Sequence, residues 1–182
     1  DTPLPSCATH VQRKLGADEI PAFDLSAACA GFLYGLTIAD QFIARGTARC
    51  VLVIGVELLT RIIDWKDRNT CVLFGDGVGA TVIKRSTKGR GVLSSYIRSD
   101  GTLTQLLWRP AGGGVMPASQ AVLDDGSFWV QMQGREVFKH AVRSMADACD
   151  RALDGAKMSP EAIDLVIPHQ ANIRIDRKST RL

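Results

Sequence analysis

Two residues in this 182-residue chain are placed for covalent chemistry. Cys29 stands in Asp24-Leu25-Ser26-Ala27-Ala28-Cys29-Ala30-Gly31-Phe32. The pattern predicts a helix opening at the cysteine. A thiol there meets unpaired N–H groups and the positive end of the helix dipole, which favour the thiolate. The small neighbours leave a substrate room to reach the sulfur. His169 stands in Pro168-His169-Gln170-Ala171-Asn172, directly after the apolar run 165–167, which reads as a short buried strand. The carboxyl ends of strands in α/β folds are where ligands bind. A histidine there can donate a hydrogen bond to a developing oxyanion. Cysteine and histidine together are a recurring means of running acyl chemistry through a thioester. His169 follows Cys29 by 140 positions, a separation also found in papain-type proteases. Ala27-Ala28-Cys29-Ala30 lacks their signature around the cysteine, which leaves a Cys–His hydrolase as the last alternative. Read alone, Cys29 also fits a small buried hydrophobe, and His169 a histidine capped by backbone.

The other cysteines read as packing residues. Cys50 starts a strand, Cys71 lies on one, Cys149 faces a helical stripe, and Cys7 is in the N-terminal segment with no helix start behind it. None forms a C-x-x-C pair, so the chain offers no zinc-ribbon or thioredoxin motif. His10 and His140 fall on helical patterns and read as solvated or structural.

Helical and strand patterns alternate around these residues, the mark of an α/β fold. A helix is expected to end over 11–15 and stop at Gly16. Residues 22–24 read as a short extended approach. Residues 29–45 read as a helix, apolar nearly all round in its first half and ended by Gly46. Gly31 and Gly35 leave flat spots on it for close backbone approach. Residues 50–56 are a continuous Val/Ile-rich run, expected to be a strand buried on both faces. Further strands are expected over 71–74, 78–83, 91–98 and 128–132, with Gly75-Asp76-Gly77 separating the first two and Asp100-Gly101 as the turn after the third. The Gly-rich stretch 111–125 reads as irregular. An amphipathic helix is expected over 134–153, with Phe138, Val142, Met145, Cys149 and Ala152 on one stripe. Ser159-Pro160-Glu161 opens a short helix.

Composition narrows the function classes. The net charge of +3 comes from 22 basic and 19 acidic residues. That is too small, and too scattered, to argue for a nucleic-acid partner. The longest charge-free apolar stretch, 25–39, is 15 residues long, too short to span a bilayer. The first residues have neither the basic nor the apolar region of a signal peptide, and a reducing cytoplasm is the expected compartment. The chain does not begin with Met and is expected to start inside a longer protein.

With these segments in hand, the chain resembles the β-ketoacyl-acyl-carrier-protein synthase III family of thiolase-fold condensing enzymes. Three pieces carry the resemblance: residues 24–32 around Cys29, Phe74-Gly75-Asp76-Gly77-Val78-Gly79-Ala80, and Pro168-His169-Gln170-Ala171-Asn172. It extends over 1–175. It implies a thiolase-like layered α-β-α-β-α fold, most of its N-terminal half followed by the start of its C-terminal half. It implies a decarboxylative Claisen condensation that initiates fatty-acid synthesis. Cys29 would hold the acyl group of an acyl-CoA primer, and malonyl-acyl-carrier protein would supply the extender. His169 would stabilise the enolate oxygen. Arg68 matches the residue beside the CoA adenine. Gly134 and Phe138 match the lining of the pantetheine tunnel, and Ala171, Asn172 and Arg174 match its mouth. Leu59 and Phe74 match residues near the acyl pocket, and Leu4 a position that reaches into the pocket of a second subunit. The implied protein is a cytoplasmic homodimer with no metal and no cofactor beyond CoA and carrier-protein phosphopantetheine as substrates. A specialised-metabolite ketosynthase or acyltransferase of the same fold is the alternative, and a non-catalytic partner subunit is one of another class.

The family continues past this segment with an active-site Asn and a Gly-rich loop, so the resemblance implies an incomplete catalytic set and an inactive isolated chain. The last seven residues, Asp-Arg-Lys-Ser-Thr-Arg-Leu, do not resemble the family. They read as the translation of a sequencing adapter. Without them the chain has 175 residues, 19 basic and 18 acidic.

Overall fold

A computed structural model describes residues 4–175; the adapter-like tail, 176–182, lies outside them. The chain divides into two compact units. Asp1–Gly55 with Val78–Arg85 forms the first, and Val56–Gly77 with Ser86–Leu182 the second.

The first unit opens with helix α1, Cys7–Leu15. Arg13 and Lys14 in its last turn suit the negative end of its dipole. Gly16, at φ +62°, ends it where a glycine is expected. An extended stretch then leads through Phe23 and Asp24 to a 3₁₀ turn, Ala28–Ala30, and helix α2, Gly31–Ala44. Strands β1, Cys50–Leu58, and β2, Asp76–Lys84, are hydrogen-bonded neighbours.

Helix α2 lies on one face of β1. A Cβ at Gly35 would stand 2.9 Å from Val53 Cγ1, and one at Gly55 would stand 3.6 Å from the Phe32 ring. The flat spot expected at Gly35 is therefore a contact. Gly31 has nothing within 4 Å of its Cβ position and is not one. Among the described residues of this unit, Val53, Ala39 and Ile43 are the buried hydrophobic ones.

Two expectations fail here. Strand β1 is not buried on both faces, since Leu52 and Ile54 are exposed. Side chains alternate along a strand, and α2 covers the Val53 face alone. The first half of α2 is not enclosed either: Phe32, although it meets β1 at Gly55, and Leu33 are both exposed.

In the second unit, β3, Leu107–Trp108, pairs antiparallel with β4, Gln131–Met132, with Leu107 opposite Met132. The expected strand over 128–132 thus shrinks to its last two residues. Helix α3, Gln120–Asp124, lies in the stretch expected to be irregular. The Ser119 hydroxyl caps it by accepting from the Val122 N–H, a local signal that the surrounding glycines masked. Helix α4, Gly134–Ala156, outlasts its expected end by three residues, and Lys157 closes it at φ +56°. Its stripe is half-buried as expected. Pro160 opens a 3₁₀ turn, Pro160–Ala162, rather than an α-helix, and the Ser159 side chain caps nothing.

Three expected strands do not form. Residues 71–74 are turns, with the Cys71 and Phe74 N–H groups donating to the Asp67 and Thr70 carbonyls. Residues 91–98 and 165–167 carry no ladder. Leu165 and Ile167 are 73% and 82% exposed, so the segment before His169 is not a buried strand. An apolar run becomes a strand only where a neighbour takes its N–H and C=O groups. Ser94 instead donates from its hydroxyl to the Ala152 carbonyl on α4.

Candidate active site

Cys29 is the middle residue of the 3₁₀ turn that runs directly into α2. This is the helix-start position that its motif predicted, and the residue is exposed. Ala28 immediately before it has φ +45°. That left-handed conformation costs an L-residue with a Cβ and collects at functional turns. No side chain caps the N-terminus of α2, and no acidic residue lies in its first turn.

Cys7 corrects an expectation. It does have a helix behind it, since it is the first residue of α1. The two helix starts differ in one respect. The Asp24 carboxylate, 16 and 17 positions away, accepts from the Cys7 N–H at 2.7 Å and the Ala8 N–H at 2.9 Å. Ser6, the residue in the capping position, makes no side-chain cap. Asp24 thus serves as a remote cap, placing a negative charge where two orphan donors and the dipole favour it. Leu4, three residues before α1, is 88% exposed.

Other predicted residues belong to the second unit. Leu59 opens a 3₁₀ turn, Leu59–Arg61, at the end of β1, and half-buried Phe74 lies two residues before β2. Asp76 fastens these neighbourhoods together. Its carboxylate accepts from the Thr60 N–H at 2.9 Å and the Thr60 hydroxyl at 2.7 Å. Those bonds hold the Asp76 carboxyl below its ordinary value, the hydroxyl bond most. The Gly75-Asp76-Gly77 motif, expected to separate two strands, instead opens β2 at Asp76, whose carboxylate acts as a clasp.

Arg68 is exposed on a turn built by Asp67. The Asp67 carboxylate accepts from the Asn69 N–H at 3.0 Å, the Asn69 amide at 2.9 Å and the Thr70 hydroxyl at 2.8 Å. The Asn69 backbone bond, followed by the Thr70 hydroxyl bond, lowers the Asp67 pKa. Thr70 is fully buried.

Gly134 begins α4 and Phe138 stands one turn later on the same face. A hollow of about 240 Å³ against α4 is lined by Leu103, Leu106, Leu107, Val137, His140, Ala141 and Ser144, none of them a predicted site residue. His140 was expected to be solvated or structural, and it lines this hollow.

His169 is exposed in an extended segment, and Ala171 lies in the turn that follows. Asn172 caps the helical turn at 173–175. Its side-chain oxygen accepts from the Arg174 N–H at 2.9 Å, and its carbonyl accepts from the Ile175 N–H at 2.9 Å. Arg174 is exposed. Cys29 and Leu4 belong to the first unit, and the other predicted site residues to the second.

Cys149 was expected to be inert. Burial, and then the neighbouring Asp150 charge, push its thiol pKa up, against nucleophilic use. Cys71 lies in a turn, not on a strand. Among the described residues no group of three His, Cys, Asp or Glu could hold a metal ion. Among them no helix is long and apolar enough to cross a membrane.

Sequence reasoning missed the carboxylate fastenings by Asp24, Asp76 and Asp67. The Asp67 turn was open to local inspection, because Asn69 and Thr70 follow within three residues. Asp24 gave no local signal.

Known proteins share both the sequence and the fold. Residues 23–101 match the family model of 3-oxoacyl-[acyl-carrier-protein (ACP)] synthase III. The β-ketoacyl-[acyl-carrier-protein] synthase III of Caldanaerobacter subterraneus is 52% identical over 175 residues, which are 96% of this chain and 53% of that protein. The crystal structure of 3-oxoacyl-[acyl-carrier-protein] synthase III from Aquifex aeolicus superposes with a TM-score of 0.85 at 46% identity, covering 98% of this chain and 53% of that one. The priming β-ketosynthase of the R1128 polyketide pathway superposes with a TM-score of 0.81 at 34% identity, covering 98% and 52%. The chain spans about half the length of the curated relatives it matches. The fold is thus the thiolase-like α/β fold that the three motifs led us to expect.

Proposed function

This chain belongs to the 3-oxoacyl-[acyl-carrier-protein] synthase III family, and on that premise we propose that it carries the acyl-accepting cysteine of a condensing enzyme that starts fatty-acid synthesis. The observation that carries the reading is Cys29 itself, exposed in the turn that opens α2, a helix with no acidic residue in its first turn. The Cys29 thiolate attacks the thioester carbonyl of an acyl-CoA primer. A new C–S bond forms, the bond to CoA breaks, and the CoA thiolate leaves with a proton from water. The α2 N-terminus favours both the attacking thiolate and the oxyanion of the tetrahedral intermediate.

The second half-reaction takes malonyl-acyl-carrier protein. Its carboxylate leaves as carbon dioxide and the electron pair passes to an enolate. His169 donates a hydrogen bond to the enolate oxygen. The enolate carbon attacks the acyl-Cys29 carbonyl, the Cys29 thiolate leaves, and a β-ketoacyl product remains on the carrier. Arg68 meets the CoA adenine, while Gly134, Phe138, Ala171, Asn172 and Arg174 line the pantetheine path. Leu59 and Phe74 bound the acyl chain. Leu4 reaches the pocket of the second subunit in a homodimer, where its size admits primers longer than acetyl. No cofactor is required beyond these substrates, and the cytoplasm supplies both.

Iodoacetamide labelling of the complete protein tests the reading. Cys29 alkylates first, and acyl-CoA protects it. Labelling that acyl-CoA leaves unchanged would overturn the proposal. The 34% identity to the R1128 priming ketosynthase favours a second reading, condensation in a specialised-metabolite pathway. A strong preference for that pathway's carrier protein over the fatty-acid carrier would select it.

A further inference from the structure

Asp24 lies at the start of the stretch that delivers Cys29, and its carboxylate is bound elsewhere, on two N–H groups of α1. A second tie runs beside it, where the Gln12 amide of α1 donates to the Ile20 carbonyl at 2.9 Å. A third fixes the neighbouring residue, because the Phe23 ring meets Phe42 near the end of α2, edge to face at 6.5 Å. The chain therefore starts its run to Cys29 from the far end of the helix that Cys29 opens.

The link to the thiol is short: only Leu25, Ser26 and Ala27 lie between the Asp24 anchor and Ala28. At its end Ala28 turns at φ +45°, a conformation that an unrestrained alanine leaves.

We infer that Asp24 is a positioning residue for Cys29: its grip on the start of α1 anchors the short segment 24–28 and holds the strained Ala28 turn that presents the thiol. Neither hydrogen bond touches Cys29, so the action passes through the backbone from residue 24 to residue 28. The inference rests on the reading of Cys29 as the acyl-accepting nucleophile.

The test uses the complete protein and follows Cys29 alkylation by iodoacetamide together with acyl transfer from acyl-CoA. Asp24→Ala removes both acceptors and is expected to slow Cys29 alkylation by about tenfold, the scale on which small misplacements of a reacting group act. Asp24→Asn keeps one acceptor and restores part of the rate. Ala28→Gly makes the left-handed turn inexpensive. Placed in the Asp24→Ala background, it also recovers part of the rate. A merely structural role for Asp24 gives no such rescue. Cys29 alkylation at the native rate in Asp24→Ala overturns the inference, as does a loss that Ala28→Gly leaves unrelieved. Should Asp24→Ala fail to fold, Asp24→Asn alone and with Ala28→Gly carries the same comparison. Should acyl-CoA fail to protect Cys29 in the native protein, the proposed function falls, while the alkylation series still decides the role of Asp24.

Discussion

Helices α1 and α2 each begin with a cysteine at or beside the first turn, and the chain treats the two starts in opposite ways. At α1 the Asp24 carboxylate accepts from the Cys7 and Ala8 N–H groups. At α2 no side chain caps the start, and its first turn holds no acidic residue. A helix start favours a thiolate only as far as its N–H groups and partial positive charge remain available. The carboxylate at α1 consumes that advantage for Cys7. Position at a helix start does not by itself separate nucleophile from bystander; the carboxylate bound at the start of α1 sets Cys7 apart.

The largest expected effect tests that separation directly. In the complete protein, Cys29→Ala should abolish transfer from acyl-CoA, because the covalent intermediate has no other acceptor. Cys7→Ala should leave it within about twofold, as for a substitution outside the chemistry. Acyl transfer followed by mass spectrometry of the labelled peptide checks both. Acyl label on Cys7 would break the comparison.

Substitution at Gly35 comes next. Gly35→Ala places a Cβ 2.9 Å from Val53 Cγ1, and Val53 is among the few buried side chains of its unit. Overpacking of this kind costs about 1–3 kcal/mol, readable as a lowered Tm. Gly31→Ala, one turn earlier, meets nothing within 4 Å and should hold or slightly raise the Tm. It also puts a methyl two residues from Cys29 and should slow alkylation by bulky reagents more than by small ones. Equal losses in Tm would remove the distinction between a packed end and an open end of α2.

A smaller effect concerns the capped helix. Asp24→Ala should cost about 1 kcal/mol of stability, the usual worth of an N-cap, measured by urea unfolding. Cys7 alkylation should rise in the same variant as the start of α1 is uncovered. An unchanged Cys7 rate would show that the carboxylate was not what held it back.

The smallest effect is one of pH, at a third carboxylate-bound turn. The folded pKa of Asp67 lies below its ordinary value near 3.8, because hydrogen bonds from Asn69 and Thr70 favour the charged form. A depressed carboxylate contributes stability that is present above the ordinary value and lost as pH falls through the folded one. The turn bearing Arg68 should therefore stay ordered at neutral pH and loosen only below about pH 4. Amide exchange of Asn69 followed down the pH scale checks this, and loosening between pH 5 and 7 would contradict it.

Local rules made much of this legible. Gly16 and Gly46 stop the helices where their positive φ is tolerated, Pro160 opens its turn, and the alternation of 134–153 shows in the half-buried stripe of α4. Cys29 was legible for the same reason, since its small neighbours and the helix pattern after it are consecutive. The expected strands at 71–74, 91–98 and 165–167 failed together. Their apolar content is real, but a ladder also needs a second strand, and apolar content does not name one. That failure bears on His169. The buried strand expected to deliver it is an exposed extended segment, and its role now rests on the family motif.

What the sequence by itself determined is the chemistry available and where α1 and α2 stop, because dipoles and φ preferences act over a few consecutive residues. What only the tertiary structure decided is which of two similar helix starts is capped. Asp24 reaches α1 because the chain turns back at Gly16 and runs past the helix it has just left. Its bond to Ala8 spans 16 positions, and no propensity or period in the sequence encodes that return.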